Sequence, residues 1–490
     1  MWPDAGAPGG WSAPVYSFPG QTRTAGHGGA RGEGAGAVVS GQGVRGITPS
    51  RGSGGDASRP TASGVSILLV VAVVLLAVIG ASCGQSPVAT GGSSRAVTAS
   101  RTPIASATPT VAASPPLVGP VSWSTVSSPN PSGSTGAWLY GLTCVTADDC
   151  WGVGYWNSTD SESHNQPLFE HDTGSGWSIV DGPAVPGSTS SQLQAMTCAG
   201  AGDCWAVGYY ADASGADHTL IEHYTGGSWT VVSSPTPAGD GDINLDGVTC
   251  VSADECWAVG YSDASGPNST GVGTVIEEYT GSGWTIVTGP TASGGRTDEL
   301  AAVTCVSAAD CWAVGAYYVA GGSDNQGLIE QYTGHGWSVV SSPLPPGSVE
   351  SSLSSITCAG ADDCWAVGGW GDVNFGGPTL IEQDTGSGWS IVPSPVPPGS
   401  TQSALNGVSC ASAADCWAVG FSGDENFNTA ALIEQDTGAG WTIVSDVAPS
   451  GNAGGEVLSG TTCMDTGHCV AVGYGGVVSS SNAQTLIEGA

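Results

Sequence analysis

The chain contains no lysine. All eight of its basic residues are arginine: Arg23, Arg31, Arg45, Arg51 and Arg59 precede the one long apolar run, Arg95 and Arg101 follow it, and Arg296 alone falls in the long remainder. Against 42 acidic residues this leaves a formal net charge of −34, which excludes nucleic acid as a partner because phosphate recognition is built on Lys and Arg. Charge of either sign is scarce, at 10% of residues, where soluble domains carry about 25%. Phenylalanine (5) and methionine (3) are few, whereas tryptophan (18) is abundant. No histidine recurs beside the cysteines, which removes the usual zinc spacings.

The apolar run, "VSILLVVAVVLLAVIGAS" from Val65 to Ser82, would span about 27 Å as a helix, close to the hydrocarbon thickness of a bilayer. Arginine on its N-terminal side places that end inside the cell. Residues 64–82 therefore read as a membrane segment, either an uncleaved single-pass anchor or a lipoprotein signal whose "GASC" box would lipidate Cys83. Residues 1–63, rich in Gly, Ser, Ala and Arg, read as a disordered cytoplasmic arm or as a start site placed too early. Residues 83–120 are rich in Ser, Thr, Ala and Pro and read as a stalk. The expected location is the cell membrane, with everything after the stalk extracellular.

Fourteen of the fifteen cysteines form pairs six positions apart: Cys144/Cys150, Cys198/Cys204, Cys250/Cys256, Cys305/Cys311, Cys358/Cys364, Cys410/Cys416 and Cys463/Cys469. An even count in an exported domain points to disulfides, and seven identical redox sites in one chain would be odd. Each pair flanks a turn between two strand-like phrases and reads as a staple across it. The pairs recur every 52 to 55 residues, a period suited to propeller blades. Each unit holds four such phrases, for example "LQAMTC", "CWAVGYY", "TLIEHY" and "SWTVVSS" between residues 193 and 234. The last unit stops at "TLIEGA" and lacks its fourth phrase, while "VSWSTVSSP" (121–129) supplies one before the first pair. The expected fold is all-β: a seven-bladed β-propeller over 121–490, monomeric, closed by pairing of its terminal strands.

The turn-then-tryptophan phrase of "IEHYTGGSWTVVSSPTP" (221–237) resembles the kelch-like propellers, with "AVG" standing where that family has paired glycines. "DTGSGW" at Asp172 and again at Asp384 is similar to the Asp-box of sialidase-type propellers. Neither resemblance transfers a catalytic residue. Sialidase chemistry uses an arginine cluster, and this domain has Arg296 alone; copper-radical oxidases of similar shape need a free cysteine, and every domain cysteine has a partner by spacing.

Repetition in every blade marks packing, so the two tryptophan series and the glutamate series Glu170, Glu222, Glu277, Glu330, Glu382, Glu434 and Glu488 read as framework. The acids in the stapled turns, as in "SADE" (252–255), read as turn caps. The second-to-third and fourth-to-first connections vary, and a variable loop face on a rigid scaffold suits recognition. Trp156, Tyr210, Tyr317 and Trp370, each five residues after a framework tryptophan, are candidate stacking platforms for sugar rings or edge caps of their blades. In "DGDINLDG", Asp240, Asp242, Asn244 and Asp246 have the alternating oxygens of a calcium loop, although Leu245 replaces the glycine of the sharp turn; calcium is the one candidate cofactor. Two function classes remain: a membrane-tethered binding or adhesion module for a glycan or protein, and a polysaccharide-active hydrolase or lyase using surface carboxylates.

Overall fold

The computed structural model describes residues 122–158, 164–235, 242–264, 271–292, 295–319, 325–371, 377–425, 428–444, 455–476 and 483–490. The segments read as arm, membrane span and stalk, with Cys83, lie outside these residues, as does Asp240. All regular structure among the described residues is strand.

Each cysteine repeat is one antiparallel four-stranded blade. In blade one, Ser134–Thr146, Asp149–Ser158, Asn165–Asp172 and Trp177–Val180 follow one another outward from the axis. The first strands of the seven blades stand side by side around that axis, with Gly141 against Ala195, Gly247 against Ala302 and Gly407 against Gly460. Blade seven is made of Glu456–Asp465, His468–Gly475 and Gln484–Gly489, completed by Ser124–Val126 from the other end of the propeller. Its register is Ser124↔Gly489, Thr125↔Glu488 and Val126↔Ile487, so the expected terminal closure is present.

Every cysteine pair is a disulfide joining directly opposed residues of the first and second strands, with Cα atoms 3.9–4.1 Å apart. Closing so short a loop is worth about 2 kcal/mol in the chain-entropy account. The expected staples are present, and the two halves of each bridge differ in burial. Cys150, Cys204, Cys256, Cys311, Cys364, Cys416 and Cys469 are buried, at 0–2% exposure, whereas their partners Cys144, Cys198, Cys250, Cys305, Cys358, Cys410 and Cys463 are half-buried. The reason lies in strand position: the second strand is covered by a strand on each side, while the first is an edge strand of its blade. The second sulfur also faces the preceding blade, so that Cys204 packs in one cluster with Trp151, Cys256 with Trp205, Cys311 with Trp257, Cys364 with Trp312 and Cys416 with Trp365. The disulfides are thus part of the core as well as cross-links.

The turn acids correct the expectation of capping. Ser252, Ser307 and Ser412 accept the turn amides, while the acid before the second cysteine reaches across to the third strand. Asp149 meets His171 at 2.7 Å and Asp203 meets His223 at 2.6 Å; Asp310, Asp363 and Asp415 accept from Gln331, Gln383 and Gln435. Each of these acids opens the second strand, beside the third strand whose side chain supplies the partner.

The tryptophans join blade to blade. The second-strand ring of one blade meets the fourth-strand ring of the next edge to face, at 5.3–5.6 Å and 65–82°, from Trp151–Trp229 round to Trp417–Trp123. Blade seven has Val470 at the second-strand position, and its neighbour Trp177 is correspondingly only part-buried. The framework glutamates are fully or almost fully buried in the same interfaces. Four accept from a serine that leaves the fourth strand of the preceding blade: Ser128 to Glu170, Ser234 to Glu277, Ser342 to Glu382 and Ser394 to Glu434. Burial pushes the seven carboxyls up to about 7 or about 8.

Candidate ligand channel

The first strand of every blade breaks register at one place, between a leucine and a small residue: Leu139/Gly141, Leu193/Ala195, Leu245/Gly247, Leu300/Ala302, Leu353/Ser355, Leu405/Gly407 and Leu458/Gly460. This is a β-bulge, which re-aims one side chain. The "AVG" glycine of the second strand permits it. A Cβ at Gly260 would stand 2.0 Å from the carbonyl oxygen of Asn244, and its six counterparts would stand 2.0–2.1 Å from theirs. The leucine anchors the blade interface, the small residue lets adjacent inner strands touch, and the residue between them faces the axis.

Those seven residues are Tyr140, Gln194, Asp246, Ala301, Ser354, Asn406 and Ser459, and all line one central cavity of about 700 Å³. A second tier lies two positions earlier in six of the strands, including Gln192, Asn244, Glu299 and Ser352. The size falls within the range of small-ligand sites. Its acids sit on one side. Blades two to four contribute Gln192, Gln194, Asn244, Asp246, Tyr261 and Glu299, whereas Tyr140, Tyr155 and Phe421 stand with Gln402, Asn406 and Ser459 on the side formed by blades six, seven and one.

Asn244 donates to Asp246 Oδ1 at 2.6 Å, and its own Oδ1 is buried with no hydrogen-bond partner. Burial pushes the Asp246 carboxyl well above the usual range and the nearby charge of Glu299 adds to that, partly offset by the Asn244 hydrogen bond. Opposite, Tyr155 stacks on Trp138 at 4.7 Å and lies 5.9 Å from Tyr140, which holds both rings in place. Burial raises the Tyr140 hydroxyl well above its ordinary value and Tyr155 with it, so both remain protonated donors. Chemically the channel offers a carboxyl that burial holds toward its protonated form, amides for hydroxyl groups, and a fixed aromatic edge.

The residues singled out from sequence are distributed differently. Trp156, Tyr210, Tyr317 and Trp370 are part-buried, each packed into a separate blade interface, and the structure does not bring them together. Tyr210 stacks on His218 at 5.0 Å, and the Tyr317 hydroxyl donates to Gln326 at 2.8 Å. The loop reading of 238–247 is corrected from Asp242 onward, because the inner strand of blade three is Asp242–Ser252. Asn244 and Asp246 thus sit on an extended wall of the channel and not in a turn. Among the described residues no group of three or more His, Cys, Asp or Glu stands together as a metal would require. The channel ring itself was missed. Its trace in the sequence is the one unrepeated position between the leucine and the small residue of each first strand.

The Asp-box-like turns have the geometry their residues imply. Asp172, Asp384 and Asp436 each accept two glycine amides of their own turn at 2.8–3.0 Å. Where tyrosine replaces the aspartate, as at Tyr224, Tyr279 and Tyr332, its ring packs on the preceding blade's tryptophan at 4.7–4.8 Å.

No family model matches the chain, and no curated protein matches it. Among solved structures, it is similar to an ulvan lyase, a polysaccharide lyase, with 10% identity, a TM-score of 0.44, and coverage of 72% of this chain and 94% of that one. The BP39L lectin from Burkholderia pseudomallei has 13% identity and a TM-score of 0.42, covering 72% and 98%. An α-L-arabinanase from Penicillium chrysogenum has 11% identity and a TM-score of 0.38, covering 72% and 93%. Likenesses this distant carry nothing about function, and the channel's own residues have to supply it.

Proposed function

We propose that this chain is a binding module for carbohydrate, a monomeric propeller held outside the cell membrane by residues 64–82 and the 83–120 stalk. One observation carries the reading: an otherwise repeated framework delivers seven bulge side chains of six different types, serine alone occurring twice, into a single cavity. Packing demands the leucine, the small residue and the glycine of each blade, but it makes no demand on the residue between them, and a ligand does. Amides, hydroxyls and aromatic edges in one cavity match what a sugar ring presents.

A glycan array probed with residues 117–490, run beside a polysaccharide hydrolysis screen, tests this reading. Retention of a glycan without turnover supports it, and an array with no retained glycan overturns it. Turnover would favour the second reading, a hydrolase or lyase. That Asp246 and Glu299 both line the channel favours that alternative, since glycoside cleavage uses a pair of carboxyl groups. Asp246→Asn would then abolish turnover while leaving the fold intact.

A further inference from the structure

We infer that the channel takes an uncharged glycan through a pair of free hydroxyl groups, one donating to Gln194 Oε1 and the other to Asn244 Oδ1. The inference rests on the carbohydrate reading above and names the ligand's chemistry. Gln194 and Asn244 stand on adjacent inner strands, those of blades two and three, and both line the cavity. Each presents a buried amide oxygen that has no hydrogen-bond partner among the described residues. Their neighbourhood is otherwise engaged: Gln192 Oε1 accepts from Asn165 at 3.4 Å, and Asn244 spends its Nδ2 on Asp246 at 2.6 Å. On the side of blades six and seven, Asn406 likewise donates its Nδ2 to the Leu458 carbonyl at 2.9 Å, so that its oxygen is the end left to a ligand. With both asparagine N–H groups committed to the protein, the channel asks its ligand for donors.

Packing does not require these acceptors. Blade four carries Ala301 at the bulge position that Gln194 holds in blade two, so an apolar side chain is tolerated there, and a buried acceptor left unmet is costly. Solvent meets such acceptors in the free protein, and a ligand that takes its place without loss has to bring donors of its own. A sugar hydroxyl brings one; a carboxylate, a sulfate ester or an ether brings none. The hydroxyls of Ser459 and Thr429, buried and also without a partner among the described residues, line the cavity from blades seven and six and can donate or accept as the rest of the ring demands. Burial holds the Asp246 carboxyl toward its neutral form, which suits a ligand without charge. At longer range, a net charge of −34 disfavours anionic polysaccharides.

Isothermal titration of the full-length protein with the methyl glycosides of glucose, galactose and mannose, their monodeoxyfluoro derivatives, and the methyl glycoside of galacturonic acid separates the possibilities. Fluorine keeps nearly the size of a hydroxyl and cannot donate. The expected result is that at least one neutral glycoside binds, and that fluorine at two of its hydroxyl positions weakens binding at least about tenfold each. The galacturonide should bind at least about tenfold more weakly than the neutral glycoside. Gln194→Met, which keeps the length of the side chain and removes the acceptor, should lower affinity for the neutral glycoside at least about tenfold without lowering the melting temperature, and Asn244→Leu should weaken binding to a similar extent. Undiminished affinity in Gln194→Met, equal binding of the parent glycoside and all its fluoro derivatives, or a preference for the galacturonide each overturns the inference and leaves the carbohydrate reading standing. Binding of none of the sugars overturns both.

Discussion

At the scale of the residue, the buried glutamates show how one substitution elsewhere changes a carboxyl's situation. Blades one and three carry Gly182 and Gly289 at the position that Ser128, Ser234, Ser342 and Ser394 hold in others, and Glu222 and Glu330, which face those glycines from the next blade, have no hydrogen-bond partner for either oxygen. Both are pushed up to about 8, with burial the leading cause. Such a carboxyl is neutral in the fold at mildly acidic pH and must either ionise in the dry interface or hold its proton as the pH rises. Glu222→Gln is therefore expected to leave melting near pH 5 almost unchanged and to stabilise the propeller at pH 9 by roughly 1–3 kcal/mol. Equal effects at the two pH values would contradict the account. Conversely, Ser394→Ala, which takes the donor from Glu434, should cost about 1 kcal/mol in chemical denaturation. That the glutamates are structural was legible from their repetition alone. The serine across the interface was not, because its partner lies about 40 residues away in the next blade and only the closed ring brings them together.

At the scale of the element, the bulged inner strand joins fold to function. Gly260→Ala would place a methyl group against the Asn244 carbonyl, so the bulge cannot form unchanged. A loss of roughly 3 kcal/mol or more is expected, together with misplacement of Asp246, read by urea denaturation and by loss of whatever the channel binds. Wild-type stability in that variant would show that the bulge does not depend on the glycine. The strands, their order, the cysteine partners and the closing strand were all legible, because period-two patterning, fixed cysteine spacing and tryptophan recurrence are local signals. Burial of the second cysteine in each pair was not, since it depends on the neighbouring blade's tryptophan and not on the turn the bridge spans. The bulge was hidden too. It shifts register by one residue without changing composition, and so Asn244 and Asp246 read as a loop when they belong to a strand wall. The four surplus aromatics pack in separate blade interfaces, a placement that depends on the neighbouring blade and is not written in the loops beside them.

At the scale of the whole molecule, seven buried acids titrate in one direction. Their folded values of about 7 to about 8 lie above the ordinary 4.5 of an exposed glutamate. The stability they contribute is therefore complete below about 4.5 and is lost as pH rises through 7 to 8. Self-repulsion among the many surface acids acts in the same sense. The melting temperature of residues 117–490 should be highest near pH 5 and should fall steadily toward pH 9; a rise over that interval would refute the assignment of the raised values to the framework. The ring also has one seam unlike the others. Ser124–Val126 is held to Ile487–Gly489 by three residues of ladder, with Trp123 against Trp417, Ser128 on Glu170 and Thr485, and Asn130 accepting the Thr485 amide as its side-chain fastenings. Any tension applied to the chain before residue 122 enters the propeller through that short strand. The seam then works as a mechanical fuse: a pull on the leading segment would peel the strand off blade seven and open the ring there, while the other six blades, each stapled and made of contiguous sequence, would stay folded.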